Sequence, residues 1–244
     1  MFQYGFPVVD QAGSLLANQD NMSAMEIYNV VRVDDPLEID GNWDKAMWQN
    51  VEVISINQFL WTVPGFRPFT QAKMIYDDEF LFAIFRVQDR YVRCMVQEYN
   101  GPVYTDSCVE LFFSPDVRLP ERYFNLEVNC GGIPLMYYNI IPRVDRIVLD
   151  VEDIKKIEIA HSLPRKVFSE IVEDITWTIE YKIPFSMLEK YSEITRPQKG
   201  VIWRVNLFKI AQEGSNPHYA SWSKIDSEVR DFHVPDFFGK FKFH

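Results

Sequence analysis

Two stretches of this chain alternate polar and apolar residues with a period of two, and they lie close enough together to pair. The first is Tyr104-Thr105-Asp106-Ser107-Cys108-Val109-Glu110-Leu111-Phe112-Phe113, and the second is Tyr123-Phe124-Asn125-Leu126-Glu127-Val128-Asn129-Cys130. Successive side chains of a strand point to opposite faces. Val109, Leu111 and Phe113 therefore face one way, and Asp106, Cys108 and Glu110 the other. In the second stretch Phe124, Leu126 and Val128 oppose Asn125, Glu127 and Asn129. The segment from Ser114 to Arg122, with Pro115 and Pro120 among charges, reads as the connection. Burying both apolar sets together puts Asp106, Glu110, Asn125, Glu127 and Asn129 on the other face of one hairpin. Folding alone gives no reason to gather so many carboxylates and amides, so the face points to a polar ligand. The competing reading is an ordinary wet face, which antiparallel sheets often carry.

Composition narrows the classes. With 244 residues, 47% hydrophobic and 25% charged, the chain can pack a large core as one large β domain or two ordinary ones. Aromatic residues reach 15%, enough to fill strands and leave rings for a stacking site. A net charge of -10 argues against nucleic acid or an anionic membrane as partner and suits neutral ligands or cations. Cys94, Cys108 and Cys130 are odd in number and lack CxxC spacing, so a disulfide framework or structural zinc site is not expected. Cys108 and Cys130 fall on opposite faces of the hairpin, and buried free thiols are expected. No stretch approaches the ~20 apolar residues of a membrane span. Met1 to Ala24 lacks the basic and apolar regions of a signal peptide. The protein is therefore either cytoplasmic or the product of a chain from which a leader has been removed, and the sequence does not choose between them.

Along the chain, residues 1–28 read as an extended arm and 29–244 as a single domain. Asp40-Gly41 is a turn, after which Asn42 or Asp44 is placed to cap a short helix around Ala46, Met47 and Trp48. Strands are expected from Val51 to Leu60, Gln71 to Tyr76, Phe80 to Val87, Leu135 to Ile141, Arg146 to His161, Trp177 to Ile183 and Gly200 to Ile210. Pro184-Phe185-Ser186-Met187-Leu188-Glu189 starts as a short helix. The tally is an all-β fold, a two-sheet antiparallel β-sandwich of jelly-roll type with one or two short helices.

The order of Ile39-Asp40-Gly41…Trp48, Tyr76-Asp77-Asp78-Glu79-Phe80-Leu81, Asp106-Ser107-Cys108-Val109-Glu110 and Phe124-Asn125-Leu126-Glu127-Val128-Asn129 resembles the family 9 carbohydrate-binding modules. The resemblance continues through Trp177…Ile183-Pro184-Phe185-Ser186 to Phe238-Gly239…Phe241. It implies a β-sandwich that holds a glucan or xylan chain end between two aromatic rings over a polar floor. It also implies structural calcium, no organic cofactor, a role in polysaccharide catabolism beside xylanases and related hydrolases, and a secreted or periplasmic location. Carried onto this chain, Tyr104 is one ring, Glu110 and Asn129 match the polar motif, and Trp222 is the candidate second ring. The chain departs from the pattern where Glu127 replaces an Arg and Tyr104 a Trp.

The physical logic is independent of the likeness. Sugars stack C–H patches on aromatic faces, and their hydroxyls pair with carboxylates and amides. Tyr104 and Trp222 would form walls over Glu110, Glu127 and Asn129, with Asp106 and Asn125 on the same face and His218 and His233 at the rim. Two alternatives stand beside non-catalytic sugar binding. Glu110, Glu127 and Asp106 could form the paired carboxylates of a glycoside hydrolase, or His218 and His233 could hold haem. Asp40, Asp77, Asp78 and Asp89 are the hard oxygen donors available to calcium.

Overall fold

In the computed structural model, which describes residues 25–35, 37–61 and 65–244, nearly every regular element is a strand. In chain order these are β1 (Ile27–Arg32), β2 (Ile54–Ile56), β3 (Gln58–Phe59), β4 (Phe69–Tyr76), β5 (Phe80–Cys94), β6 (Cys108–Ser114) and β7 (Tyr123–Asn129). They continue as β8 (Pro134–Ile141), β9 (Asp145–Val148), β10 (Glu158–His161), β11 (Val167–Pro184), β12 (Ile202–Ala211), β13 (His218–Ser221) and β14 (Gly239–Phe243). Helices are single turns: α1 (Ala46–Gln49), α2 (Val151–Ile154) and α3 (Phe185–Leu188). Residues 1–24 of the expected arm lie outside the described residues, and β1 begins at Ile27, just inside the arm's assigned end.

The strands make a sandwich. One sheet runs β10-β11-β5-β4, with β2 added on β4, and the other runs β14-β12-β6-β7-β8-β9, with β13 on β12 and β3 on β13. Pairing within each is antiparallel, as expected. β1 departs from that rule: Ile27–Val30 run parallel to β14, and Val31–Arg32 run parallel to β4, so one strand ties the sheets along an edge. Between the sheets, Phe85, Trp177 and Tyr181 meet Leu111, Phe113, Leu126, Trp203 and Leu207, all without solvent contact.

Both outer faces are also covered. On the first sheet, Trp43 and Trp48 lie over Ile75, Phe82 and Ile84. This cover is pinned by Glu180 of β11, which accepts bonds from the Asp40 and Gly41 amides (2.9 and 2.7 Å), Trp48 Nε1 (2.8 Å) and Lys45 Nζ (2.9 Å). Gly41 sits at φ 77°, a conformation that disfavours any side chain. On the second sheet, Phe112, Tyr123, Leu135 and Phe208 are covered by Phe232 and Phe238 from the C-terminal segment. Every residue of β6 and β7 is consequently buried, which a sheet with one wet face would not show.

Local expectations needed correction where short-range pattern competes with packing. Val51–Leu60 is split into β2 and β3, and Arg146–His161 is interrupted by α2, capped by Asp150, which accepts from the Glu152 amide at 2.8 Å. Neither Asn42 nor Asp44 caps α1, since the Asn42 side chain instead accepts from the Asp44 amide. All three cysteines are buried free thiols.

Candidate functional site

The hairpin register sets the floor of a cavity. β6 and β7 pair Glu110 directly with Glu127 and Phe112 with Asn125, so the two acids stand side by side on the outer face. β12 adds Ile210, which pairs with Cys108, and β8 adds Tyr137, which pairs with Asn125. Loops raise walls around this floor, leaving a cavity of about 400 Å³ lined also by Tyr104, Trp61, Tyr219, Arg143, Arg146 and the Arg230–His233 segment. That volume is of small-ligand size.

Aromatic packing fixes one wall. Phe232 stacks on Phe208 at 4.1 Å and tilts against Trp61 at 5.9 Å, while Tyr219 meets Trp61 edge-on at 6.2 Å. Trp61 Nε1 donates to the Ser227 carbonyl at 2.8 Å. A polar clip fixes the other side: Arg143 donates to Asp231 at 2.6 Å, and the Asp231 carboxylate accepts the His233 amide at 2.8 Å. His233 Nδ1 lies 2.7 Å from the Tyr123 hydroxyl, and its ring packs on Phe112. Trp61 and Arg143 both adopt left-handed backbone, at φ 50° and 63°. Such residues are uncommon outside glycine, cost of order 1–3 kcal/mol, and cluster at binding sites.

Burial governs the charges. Desolvation, reinforced by the neighbouring Glu127, pushes the Glu110 carboxyl well above the carboxylate range. Desolvation lifts Glu127 to about 7, while the Asn125 hydrogen bond, Arg143 and Arg146 pull it back. Asn125 Nδ2 donates to Glu127 Oε1 at 2.9 Å, and Glu127 Oε2 is buried without a partner among the described residues. His233 is lowered to about 3 by burial first and by Arg143 second, so its imidazole is neutral. The floor thus offers a protonated carboxyl that can donate, a second carboxyl with an open lone pair, and aromatic surface beside both.

The sequence-derived candidates divide. Tyr104, Glu110, Glu127 and His233 line the cavity, and Asn125 sits behind Glu127, also accepting from Asn139 Nδ2 at 2.6 Å. Asp106 and Asn129 do not reach it. Asp106 pairs with Arg93 and accepts the Met95 and Val96 amides (2.9 and 2.8 Å) and Asn129 Nδ2 (3.0 Å), which fastens the hairpin to the end of β5. Trp222 is not a wall. It is buried in the inter-sheet core against Phe241 at 5.9 Å, because its amide continues the pairing of β13 by donating to Leu207 O. His218 also faces inward, with Nε2 2.8 Å from the buried Lys209 ammonium, which pairs with Asp89 at 3.5 Å.

His218 and His233 therefore lie on opposite faces of one sheet and do not form a haem pocket together. The four aspartates are spent locally: Asp40 on Lys45, Asp77 on the Glu79 and Phe80 amides, Asp78 on Arg32 and Asp89 near Lys209. Among the described residues no group of three or more His, Cys, Asp and Glu could hold a metal ion, so these four aspartates do not come together as one site.

Trp61, Tyr137, Arg143, Arg146, Tyr219 and Arg230 were not anticipated. Tyr137 was within reach, since continuing the alternation through the Gly131-Gly132 turn puts it on the face of Asn125 and Glu127. Arg143 and Arg230 lie outside the strands and carry no periodic signal, and Arg146 stands in the short strand β9.

Comparison with known proteins gives a consistent picture. The family model for carbohydrate-binding family 9 matches residues 42–243. A candidate carbohydrate-binding protein from Bacteroides uniformis ATCC 8492 superposes with a TM-score of 0.81 at 25% identity, covering 91% of this chain and 100% of its own. A family 9 carbohydrate-binding module from Caldicellulosiruptor kristjanssonii in complex with cellotriose gives a TM-score of 0.60 at 16% identity, covering 89% of this chain and 93% of that one. The module from the same organism in complex with glucose gives 0.60 at 16%, with 90% and 96% covered. No curated protein matches.

Proposed function

Because the chain belongs to carbohydrate-binding family 9, we propose that it is a non-catalytic module holding a saccharide over the Glu110–Glu127 floor. The observation that carries this reading is the pairing of two buried carboxyls, one with an open lone pair, beneath aromatic walls in a cavity of about 400 Å³. Sugar hydroxyls are both donors and acceptors, so a protonated Glu110 and a half-ionised Glu127 suit them better than two bare charges would. Tyr104 and Trp61 supply ring surface for C–H stacking. The relatives bound to cellotriose and to glucose support the same ligand class here. Polysaccharide catabolism is the process such binding would serve.

Facing carboxyls also bear on the hydrolase alternative. A retaining glycosidase keeps one acid ionised as nucleophile beside a protonated partner. Here burial raises both acids, and the pull of Arg143 and Lys209 on Glu110 and of Arg143 and Arg146 on Glu127 does not offset it. Titration calorimetry with glucose, xylose, cellobiose and xylobiose tests the binding reading. Saturable heat that is abolished by Glu110→Ala is expected. A folded protein giving no heat with any of the four would count against it, and turnover of aryl glycosides that vanishes in Glu110→Gln would replace it with catalysis.

A further inference from the structure

The cavity differs in charge from the protein that carries it. The chain has a net charge of -10, yet three of the cavity's lining residues are Arg143, Arg146 and Arg230. Arg143 is matched by Asp231 at 2.6 Å. Arg146 and Arg230 make no ion pair among the described residues. Each instead lies over a tyrosine that lines the cavity: Arg146 is 4.3 Å from the Tyr137 ring centre and Arg230 is 5.8 Å from that of Tyr219. Stacking on a ring leaves the edge of a guanidinium, with its forked donors, free for an oxyanion. They come from separate elements, β9 and the segment after β13, so two independent parts of the chain bring unmatched cations to one opening.

The floor does not cancel them. Of the acids that line it, Asp231 is already matched to Arg143, and burial raises Glu110 and Glu127 toward their neutral forms. Even with both ionised the cavity would be balanced, on a surface that elsewhere is acidic. A neutral sugar offers these two exposed guanidiniums only hydroxyl acceptors, whereas an oxyanion offers them a charge-assisted, forked pairing.

Resting on the carbohydrate reading above, we propose that the cavity selects a saccharide bearing an anionic substituent, a carboxylate or a sulfate ester, with its hydroxyls on Glu110 and Glu127 and its anion on Arg146 and Arg230. This reverses the expectation from net charge that neutral ligands or cations are preferred. The global charge governs the distant field, whereas a bound anion feels the groups within a Debye length, about 8 Å at physiological salt.

The test is calorimetric titration of the whole chain with D-glucuronate, D-galacturonate and glucose 6-sulfate, against glucose and galactose, at low and high sodium chloride. The proposal expects one or more anionic sugars to bind at least about ten-fold more tightly than their neutral parents, one charge-assisted contact being enough for that ratio. The advantage should shrink at high salt. Arg146→Gln and Arg230→Gln, both at exposed positions, should each lower it about five- to ten-fold while leaving the melting temperature unchanged. Uronates against the sulfate ester decide which anion is read. Neutral sugars binding as tightly as anionic ones would overturn the proposal and leave the carbohydrate reading standing, as would a ratio unmoved by either arginine variant. No binding of any of the five to folded protein would overturn both.

Discussion

The buried carboxyls of the cavity floor make the stability of the fold depend on pH. Burial lifts the Glu127 carboxyl from 4.5 to about 7 in the folded chain. A carboxyl whose folded pKa lies above its unfolded value holds its proton more tightly in the native state. The stability it contributes is fully present below about pH 4.5 and is lost as the pH rises through 7. Between pH 5 and pH 8 a shift of this size removes about 2.5 kcal/mol. For a chain of this length that corresponds to about 5–10 °C in Tm.

Other groups overlap this window, so a difference measurement is needed. Glu110, raised by burial and by Glu127, acts in the same direction. His218 and His233 act in the opposite one, because burial lowers both and their contribution grows as the pH climbs toward 6.5. Glu127→Gln removes this term together with the repulsion that Glu127 adds at Glu110, which has the same sign: the amide cannot ionise, has nearly the same volume, and its oxygen can still accept from Asn125 Nδ2, at 2.9 Å from Glu127 Oε1 in the wild type. Thermal melts of wild type and variant followed by circular dichroism at pH 5 and pH 8 should show the variant gaining about 5–10 °C on the wild type across the interval. A Tm difference that stays constant would refute the burial argument. A variant that loses ground at pH 8 would mean that Glu127 is held as a native carboxylate.

Trp222→Ala, which empties a site in the inter-sheet core, should cost about 3–5 kcal/mol and lower Tm, with sugar affinity retained at temperatures where the variant is folded. Tyr104→Ala should do the reverse, weakening saccharide binding about ten-fold with little change in Tm. Calorimetry on the two variants side by side checks the assignment of wall against core. Asp106→Ala leaves the Met95 and Val96 amides without their acceptor and Arg93 with Glu213 alone, so a loss of about 3–5 kcal/mol in urea denaturation is expected. A loss under 1 kcal/mol would show that water replaces the carboxylate there.

How far the site could be read before the structure depended on whether composition told the two faces of a strand apart. In β6 and β7 it did. Val109, Leu111 and Phe113 against Cys108, Glu110 and Phe112 leave one face plainly apolar, and parity puts Glu110 and Glu127 together on the other, while their direct pairing is set by the register of the closed hairpin. Parity also puts Tyr137 beside them, once the Gly131-Gly132 turn fixes where β8 begins. The tie of β1 to both sheets was not legible, because a six-residue strand shows nothing of its partners' direction. Nor were Arg143 and Arg230, which lie outside the strands and carry no pattern, or Arg146, whose four-residue strand β9 is too short to show which face it presents.

β13 and β12 show why the aromatic wall was misplaced. His218, Ala220 and Trp222 share one parity, and Tyr219 and Ser221 the other, so the choice of Trp222 and His218 was self-consistent. It was the wrong face. Alternation says which residues stand together and leaves open which side is the inside; ordinarily a charged residue settles that by pointing to water. Here the neighbour that should have settled it is Lys209, which pairs with Ala220 across the strands and yet is fully buried, beside Asp89 and over Trp177. A buried lysine inverts the signal: it makes the core face look polar and makes its companions, His218 and Trp222, look like a binding surface. Tyr219, opposite Ile210 on the other parity, is the ring that lines the cavity. A different cause hides the acids of β6 and β7, whose polar face was legible although its burial was not. The cover comes from Phe232 and Phe238, more than a hundred residues downstream of β6, and only the closed fold brings that segment across the sheet.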